Sequence, residues 1–158
     1  MEDYKIYTDG SCRGNGKKGA VGGWAYVILL DDKIVAEDSG AEFNTTNQRM
    51  ELTAALKACE MMEELNPFAN EILYSDSAYL INCKKQGWYR NWQYNGWKNS
   101  KKEPVANSDL WLKLIPYFDC EKCKITFEKV KGHVGIEYNE KVDKMAVDAA
   151  VSLNDKGR

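Results

Sequence analysis

The apolar positions divide the chain into short runs of strand type and longer stripes of helix type. Residues 4–8 predict a first strand, broken by Gly10. A loop through Gly14, Gly16, Gly19, Gly22 and Gly23 follows. Residues 24–30 and 33–41 read as two strands around an Asp31-Asp32 turn, and residues 47–65 as a helix capped by Thr45 or Thr46 and stopped by Asn66-Pro67. A fourth strand is expected at 71–75, a short helix at 78–85 ending near Gly87, and a helix to Phe118 capped by Asn107 or Ser108. A fifth strand at 124–130 and a last helix at 139–153 complete the order, with 154–158 as a frayed tail. Three strands, helix, strand, helices, strand, helix predict an α/β fold: a mixed five-stranded sheet flanked by helices.

Acidic residues interrupt this pattern where folding alone rarely places charge. Tyr7-Thr8-Asp9-Gly10 and Tyr74-Ser75-Asp76-Ser77 each end a strand-like run with a hydroxyl residue and an aspartate. If the two strands are parallel neighbours, both carboxylates emerge at one edge of the sheet, where sites of open α/β sheets are built. Glu51 is followed at +3, +4 and +7 by Ala54, Ala55 and Ala58, and Asp143 by Ala146, Val147 and Ala150 at the same offsets. Both acids therefore head a core-facing helical stripe, in the first turn or so of their helices. Each could singly be a turn or helix cap. Four buried, inward-aimed carboxylates together call for a shared partner, and an oxygen donor set suits Mg²⁺ or Mn²⁺. Two such ions can activate water and stabilise a leaving oxygen in phosphodiester hydrolysis.

Composition narrows the class. The 158 residues suit one domain spanning 1–158, with 44% hydrophobic and 29% charged residues. The longest apolar run, 24–30, is too short for a bilayer, and the N-terminus has no signal core; the expectation is a cytoplasmic protein without a membrane. Net charge is −2, so any polyanion site must be local. Residues 84–102 supply one: Lys84, Lys85, Arg90, Lys98, Lys101 and Lys102 with no acid, interleaved with Trp88, Tyr89, Trp92, Tyr94 and Trp97. Basic charge grips phosphates and flat rings pack on bases or sugars. The alternative is an amphipathic helix, which Trp88 and Trp92 at i, i+4 would also fit. Five cysteines without a secretion signal predict reduced thiols, Cys120 and Cys123 among them, because the lone C-x-x-C has no second pair to complete a zinc site. There is no Gly-x-x-x-x-Gly-Lys-Ser/Thr phosphate loop, and only one histidine, His133.

In order, residues 8–12 (Thr-Asp-Gly-Ser-Cys), 46–52 (Thr-Asn-Gln-Arg-Met-Glu-Leu), 75–77 (Ser-Asp-Ser), 131–133 (Lys-Gly-His) and 139–143 (Asn-Glu-Lys-Val-Asp) resemble type 1 ribonuclease H over nearly the whole chain. The resemblance implies a ribonuclease H-like fold and hydrolysis of the RNA strand in RNA–DNA hybrids, leaving 5′-phosphate and 3′-hydroxyl ends. It implies two Mg²⁺ held by Asp9, Glu51, Asp76 and Asp143, with Mn²⁺ able to substitute. By the same resemblance His133 is the loop histidine that aids proton transfer or product release. Cys12, Gly14, Asn15, Asn47 and Gln48 meet the RNA strand, and Thr46 and Asn91 hold a phosphate of the DNA strand. Trp88 and Trp92 line the DNA channel, and Lys84, Lys85, Arg90, Trp97 and Lys98 belong to a basic protrusion. The implied enzyme is a free-standing monomer with no obligate protein partner and no separate hybrid-binding domain. Three departures from the family pattern stand out: Gln93-Tyr94-Asn95 where relatives are more basic, Gly16-Lys17-Lys18-Gly19 in place of a Pro-Gly loop, and Ala78 in place of a longer side chain. A DNA nuclease on the same fold and a non-catalytic hybrid-binding module are the competing readings.

Overall fold

A computed structural model describes residues 3–14, 19–118, 124–130 and 136–156. Five strands, β1 (Asp3–Arg13), β2 (Val21–Leu30), β3 (Lys33–Phe43), β4 (Asn70–Ser75) and β5 (Lys124–Lys129), form one sheet in the order β3-β2-β1-β4-β5. β1, β2 and β3 are an antiparallel meander, while β4 and β5 run parallel to β1. The helices are α1 (Asn47–Leu65), α2 (Ala78–Gln86), α3 (Trp88–Tyr94), α4 (Ser108–Phe118) and α5 (Ile136–Lys156).

The sheet is covered on both faces, which explains why β2 is buried along nearly its whole length rather than alternately. Ile6, Ile28, Met50, Leu52, Leu73, Trp111 and Phe127 belong to the larger core, to which α1, α2 and α4 contribute. Tyr7, Ala25, Val27 and Leu29 face the other way and meet Val142 and Ala146 of α5. Each fully buried side chain of this size contributes about 1.5–3 kcal/mol.

Local signals fix the element ends. Thr46 Oγ1 accepts from the Arg49 amide at 3.1 Å and starts α1. Asn66, in extended conformation before Pro67, ends it. Ser77 Oγ accepts from the Leu80 amide at 3.1 Å to cap α2, and Gly87, at φ 69°, supplies the left-handed residue that closes it.

Several expectations change. β1 is not broken at Gly10 but continues to Arg13, and Gly22 and Gly23 lie inside β2 rather than in a loop. α5 starts at Ile136 and runs to Lys156, so residues 154–156 are helical. Residues 88–94 form a helix of their own. His133, Asn15, Cys120 and Cys123 lie outside the described residues.

One core position opposes the fold. Glu71 of β4 is 3% exposed, and its Oε1 has no hydrogen-bond partner among the described residues. Burial pushes its carboxyl up to about 7. A raised acid stabilises the fold below its unfolded pKa and loses that contribution as pH rises toward the folded value. Glu71→Gln should therefore gain on the wild type between about pH 4.5 and about 7. The gain is on the order of 1–2 kcal/mol after allowance for solvent screening. Urea denaturation across that range measures it, and a pH-independent difference would contradict the assignment.

Candidate active site

Two close approaches of helix to strand assemble the acidic edge. A Cβ on Gly10 would lie 2.3 Å from the Glu51 amide nitrogen and 2.4 Å from the Met50 carbonyl carbon. α1 therefore presses directly on β1, and the missing side chain is what brings Glu51 beside the residue after Asp9. On the opposite face, a Cβ on Gly23 would overlap the Ala146 carbonyl oxygen. That contact seats α5 on β2, one helical turn beyond Asp143. Gly23 pairs with Ser11 and Ala25 with Asp9, so α5 rests next to the same stretch of β1. The parallel pairing of β1 with β4 runs to Tyr7–Tyr74, which sends Asp9 and Asp76 out at one sheet edge. Thr8 Oγ1 donates to the Tyr74 carbonyl at 3.4 Å and holds the middle of β1 to the end of β4.

The electrostatics link the four acids. Asp9 is 6% exposed, and burial, the Asp76 charge and a hydrogen bond and charge from Asp143 push its carboxyl up to about 8, against a lowering hydrogen bond from the Gly10 backbone. Glu51 is raised by burial and by the Asp76 charge, while the Ser77 hydroxyl bonded to it pulls the other way. Ser77 thus both caps α2 and holds Glu51, a role its place beside Asp76 could have signalled.

The expectation of four buried, inward-aimed acids is corrected here. Asp9 is buried and Glu51 half-buried, but Asp76 and Asp143 are exposed. Desolvating four like charges together would be prohibitive, so two stay in water at the rim. Neither helical acid sits in a first turn: Glu51 is the fifth residue of α1 and Asp143 the eighth of α5. The helix macrodipole, confined to the terminal turn, therefore does not explain Asp143.

Among the described residues no three acidic, cysteine or histidine side chains converge closely enough to hold an ion unaided. The donor chemistry nevertheless fits a hard divalent cation. Asp9 is a desolvated carboxyl facing two further carboxylates, and Mg²⁺ commonly completes its shell with water and substrate phosphate.

Of the expected RNA-strand residues, Cys12, Asn47 and Gln48 gather at the start of α1. Cys12 Sγ donates to the Thr45 carbonyl at 3.5 Å, placing the end of β1 against the cap of α1. Gly14 takes φ 71°, and Asn47 and Gln48 are exposed at the first two helical positions. Thr46 is spent in part on capping, whereas Asn91 stands on α3 in an open cleft of about 490 Å³ with Trp88, Trp92, Tyr94 and Lys98. Asn107, read from the sequence only as a cap of α4, is tied to the first turn of α1: its Oδ1 accepts from Arg49 Nη1 at 3.2 Å. It takes φ 62° just before α4, and nothing in the sequence links it to Arg49.

The basic segment divides by function. Lys84 Nζ donates to the Phe118 carbonyl at 2.9 Å and lies 5.9 Å from its ring centroid, and Lys85 pairs with Glu128 at 3.3 Å. Both tether α2 rather than project as free cations. Trp97, at φ 65°, is packed 6.0 Å from Trp92. Arg90 lies 5.4 Å from the Tyr89 ring centroid, and Lys98 is exposed at the cleft.

A mixed sheet of this order, with Asp9 inside β1 rather than at its end, Asp76 just past β4 and one acid from a helix on each face, defines the ribonuclease H-like class. A family model described as RNase H matches residues 1–151. The chain is 49% identical to a ribonuclease H of Syntrophomonas wolfei over 97% of its own length and 99% of the relative's. It is 44% identical to one of Moorella thermoacetica over 97% and 95%. Among solved structures, LC9-RNase H1, a type 1 RNase H with the type 2 active-site motif, superposes with a TM-score of 0.79 at 26% identity, covering 96% of this chain and 74% of that one. The N-terminal RNase H domain of a Mycobacterium tuberculosis protein shares the fold at a TM-score of 0.76 and 18% identity, with 100% of both chains covered. The chain belongs to the ribonuclease H family, type 1. No helix among the described residues is long and apolar enough to cross a membrane.

Proposed function

We propose that this ribonuclease H is an endoribonuclease that hydrolyses the RNA strand of RNA–DNA hybrids with two divalent metal ions, leaving 5′-phosphate and 3′-hydroxyl ends. The carrying observation is the buried Asp9 carboxyl, with those of Asp76 and Asp143 beside it at one edge of the sheet. Such a group is held against repulsion and calls for a cation. Mg²⁺ ions, or Mn²⁺ in their place, held by Asp9, Glu51, Asp76 and Asp143 would supply water activation and stabilisation of the departing 3′ oxygen.

The chain's own residues bind and orient. Cys12, Gly14, Asn15, Asn47 and Gln48 read the RNA strand and its 2′-hydroxyls, the group that separates RNA from DNA. Thr46 grips a DNA-strand phosphate with Asn107, the amide tied to the same turn, while Asn91 contributes from the α3 cleft beside Trp88 and Trp92. Arg90 and Lys98 add charge there. His133 passes a proton or hastens product release. All four acids come from one chain, which suits a monomer. The solved LC11-RNase H1 in complex with RNA/DNA hybrid shares the fold at a TM-score of 0.70 and 22% identity, over 95% of this chain and 98% of that one.

End analysis of the cleaved RNA tests the chemistry. Products from a hybrid digested with Mg²⁺ should carry ligatable 5′-phosphates and 3′-hydroxyls, and EDTA should stop their formation. Cyclic 2′,3′-phosphate ends, or cleavage in EDTA, would contradict the mechanism. For the α3 cleft, Trp92→Ala with Lys98→Ala should raise KM about tenfold or more while kcat falls less than about threefold, because the lost contacts are uniform binding. An unchanged KM removes the cleft from substrate binding.

A further inference from the structure

One hydroxyl joins the two halves of the proposed groove. Tyr79 lies in the first turn of α2, two residues after the Ser77 cap. Its oxygen accepts from Trp111 Nε1 at 3.0 Å and from Asn107 Nδ2 at 3.5 Å. Its ring meets Trp111 edge-on at 5.2 Å and Trp88 at 6.5 Å. From Asn107 the contacts run to Arg49, whose guanidinium closes on Asp109 with bonds of 3.0 and 2.8 Å. Arg49 directly follows Asn47 and Gln48 in α1. From Trp111 they run to Trp92 of α3 at 5.6 Å. The Tyr79 oxygen therefore ties the start of α1, through Asn107 and Trp111, to Trp92 of α3, while its ring meets Trp88.

We propose that Tyr79 is the positioning residue that sets the spacing between the α1 half of the groove and the α3 half. The inference rests on the hybrid-cleaving reading above. Trp111 is fully buried and its indole N–H can only donate, so the bond to Tyr79 fixes its ring. The Arg49 fork on Asp109 is bidentate and geometrically strict. The arms on either side of Tyr79 are thus stiff, and the hydroxyl is where they meet. A hybrid held at both halves gains from their being correctly spaced, as any bivalent ligand does. A hybrid reaching only the α1 half gains nothing from it.

Tyr79→Phe keeps the ring and removes the joint. It should be assayed on two hybrids, one spanning both halves and one covering only the acids and the start of α1. For the long hybrid KM should rise roughly fivefold, about the worth of one hydrogen bond, with kcat nearly unchanged. For the short hybrid KM should not move. The variant orphans the Trp111 N–H and should lose melting temperature, so both hybrids are assayed on one preparation well below its melting temperature, and the short hybrid reports any loss of folded protein. An unchanged long-hybrid KM, or equal losses on both hybrids, would overturn the proposal. A wild-type protein that cleaves neither hybrid would instead overturn the reading on which it rests.

Discussion

Asp76→Asn should abolish cleavage while leaving the metal-free protein at least as stable as the wild type. The Asp76 charge raises the carboxyls of both Asp9 and Glu51, so in the absence of a cation it works against the folded state. Its own side chain is exposed, and exchanging it for an amide leaves no cavity. Folding therefore loses a repulsion and no packing. Catalysis loses a ligand charge, and a fall of at least about a thousandfold in kcat, about 4 kcal/mol, is expected. Calorimetry in EDTA and single-turnover cleavage in Mg²⁺ measure the two effects. A melting temperature lowered by about 5 °C or more would make Asp76 a structural residue.

Gly10→Ala should damage both stability and activity. The new Cβ would sit 2.3 Å from the Glu51 nitrogen and 2.4 Å from the Met50 carbonyl carbon, and both are backbone atoms that no rotamer change can move. Relief requires α1 to lift from β1, so the overpacking cost should reach the upper part of the usual range, about 3 kcal/mol. The same movement draws Glu51 away from Asp9. Cleavage by the remaining folded protein should fall with it, in contrast to Asp76→Asn, which spares the fold. Denaturation together with activity per folded molecule tests this. A Gly10→Ala protein within about 0.5 kcal/mol of the wild type would show that α1 does not rest on β1 at that point.

The sequence carried the elements that depend on neighbouring residues. α1 was bounded correctly because Thr46 caps it and Asn66-Pro67 stops it, both local devices. α2 was similarly legible from Gly87. Gly10 misled because a glycine after an apolar run reads as a breaker. Its actual reason is α1, forty residues away in sequence. Gly22 and Gly23 misled for the same cause, since the close approach of α5 to Gly23 is a tertiary fact. That Asp9, Glu51, Asp76 and Asp143 come together was legible from the ends of apolar runs and the heads of helical stripes. Their burial was not, because exposure at the rim depends on how helices on opposite faces open around Asp9. The basic segment read as one patch of charge, yet Lys84 and Lys85 are engaged with Phe118 and Glu128, partners distant in sequence. The Arg49–Asn107–Tyr79–Trp111 chain was invisible for the same reason: each member looks ordinary alone, and only the packing of α1, α2 and α4 joins them.

On the proposed function, the acidic edge with a divalent cation cuts RNA only when it is paired with DNA. The most direct measurement is cleavage of one end-labelled RNA sequence presented as an RNA–DNA hybrid and as double-stranded RNA, alongside the matching double-stranded DNA, each with Mg²⁺ or EDTA. The RNA in the hybrid should be cut with Mg²⁺, and no other combination should show cutting. Cleavage of double-stranded DNA, or a hybrid bound but left intact with both Mg²⁺ and Mn²⁺, would contradict it.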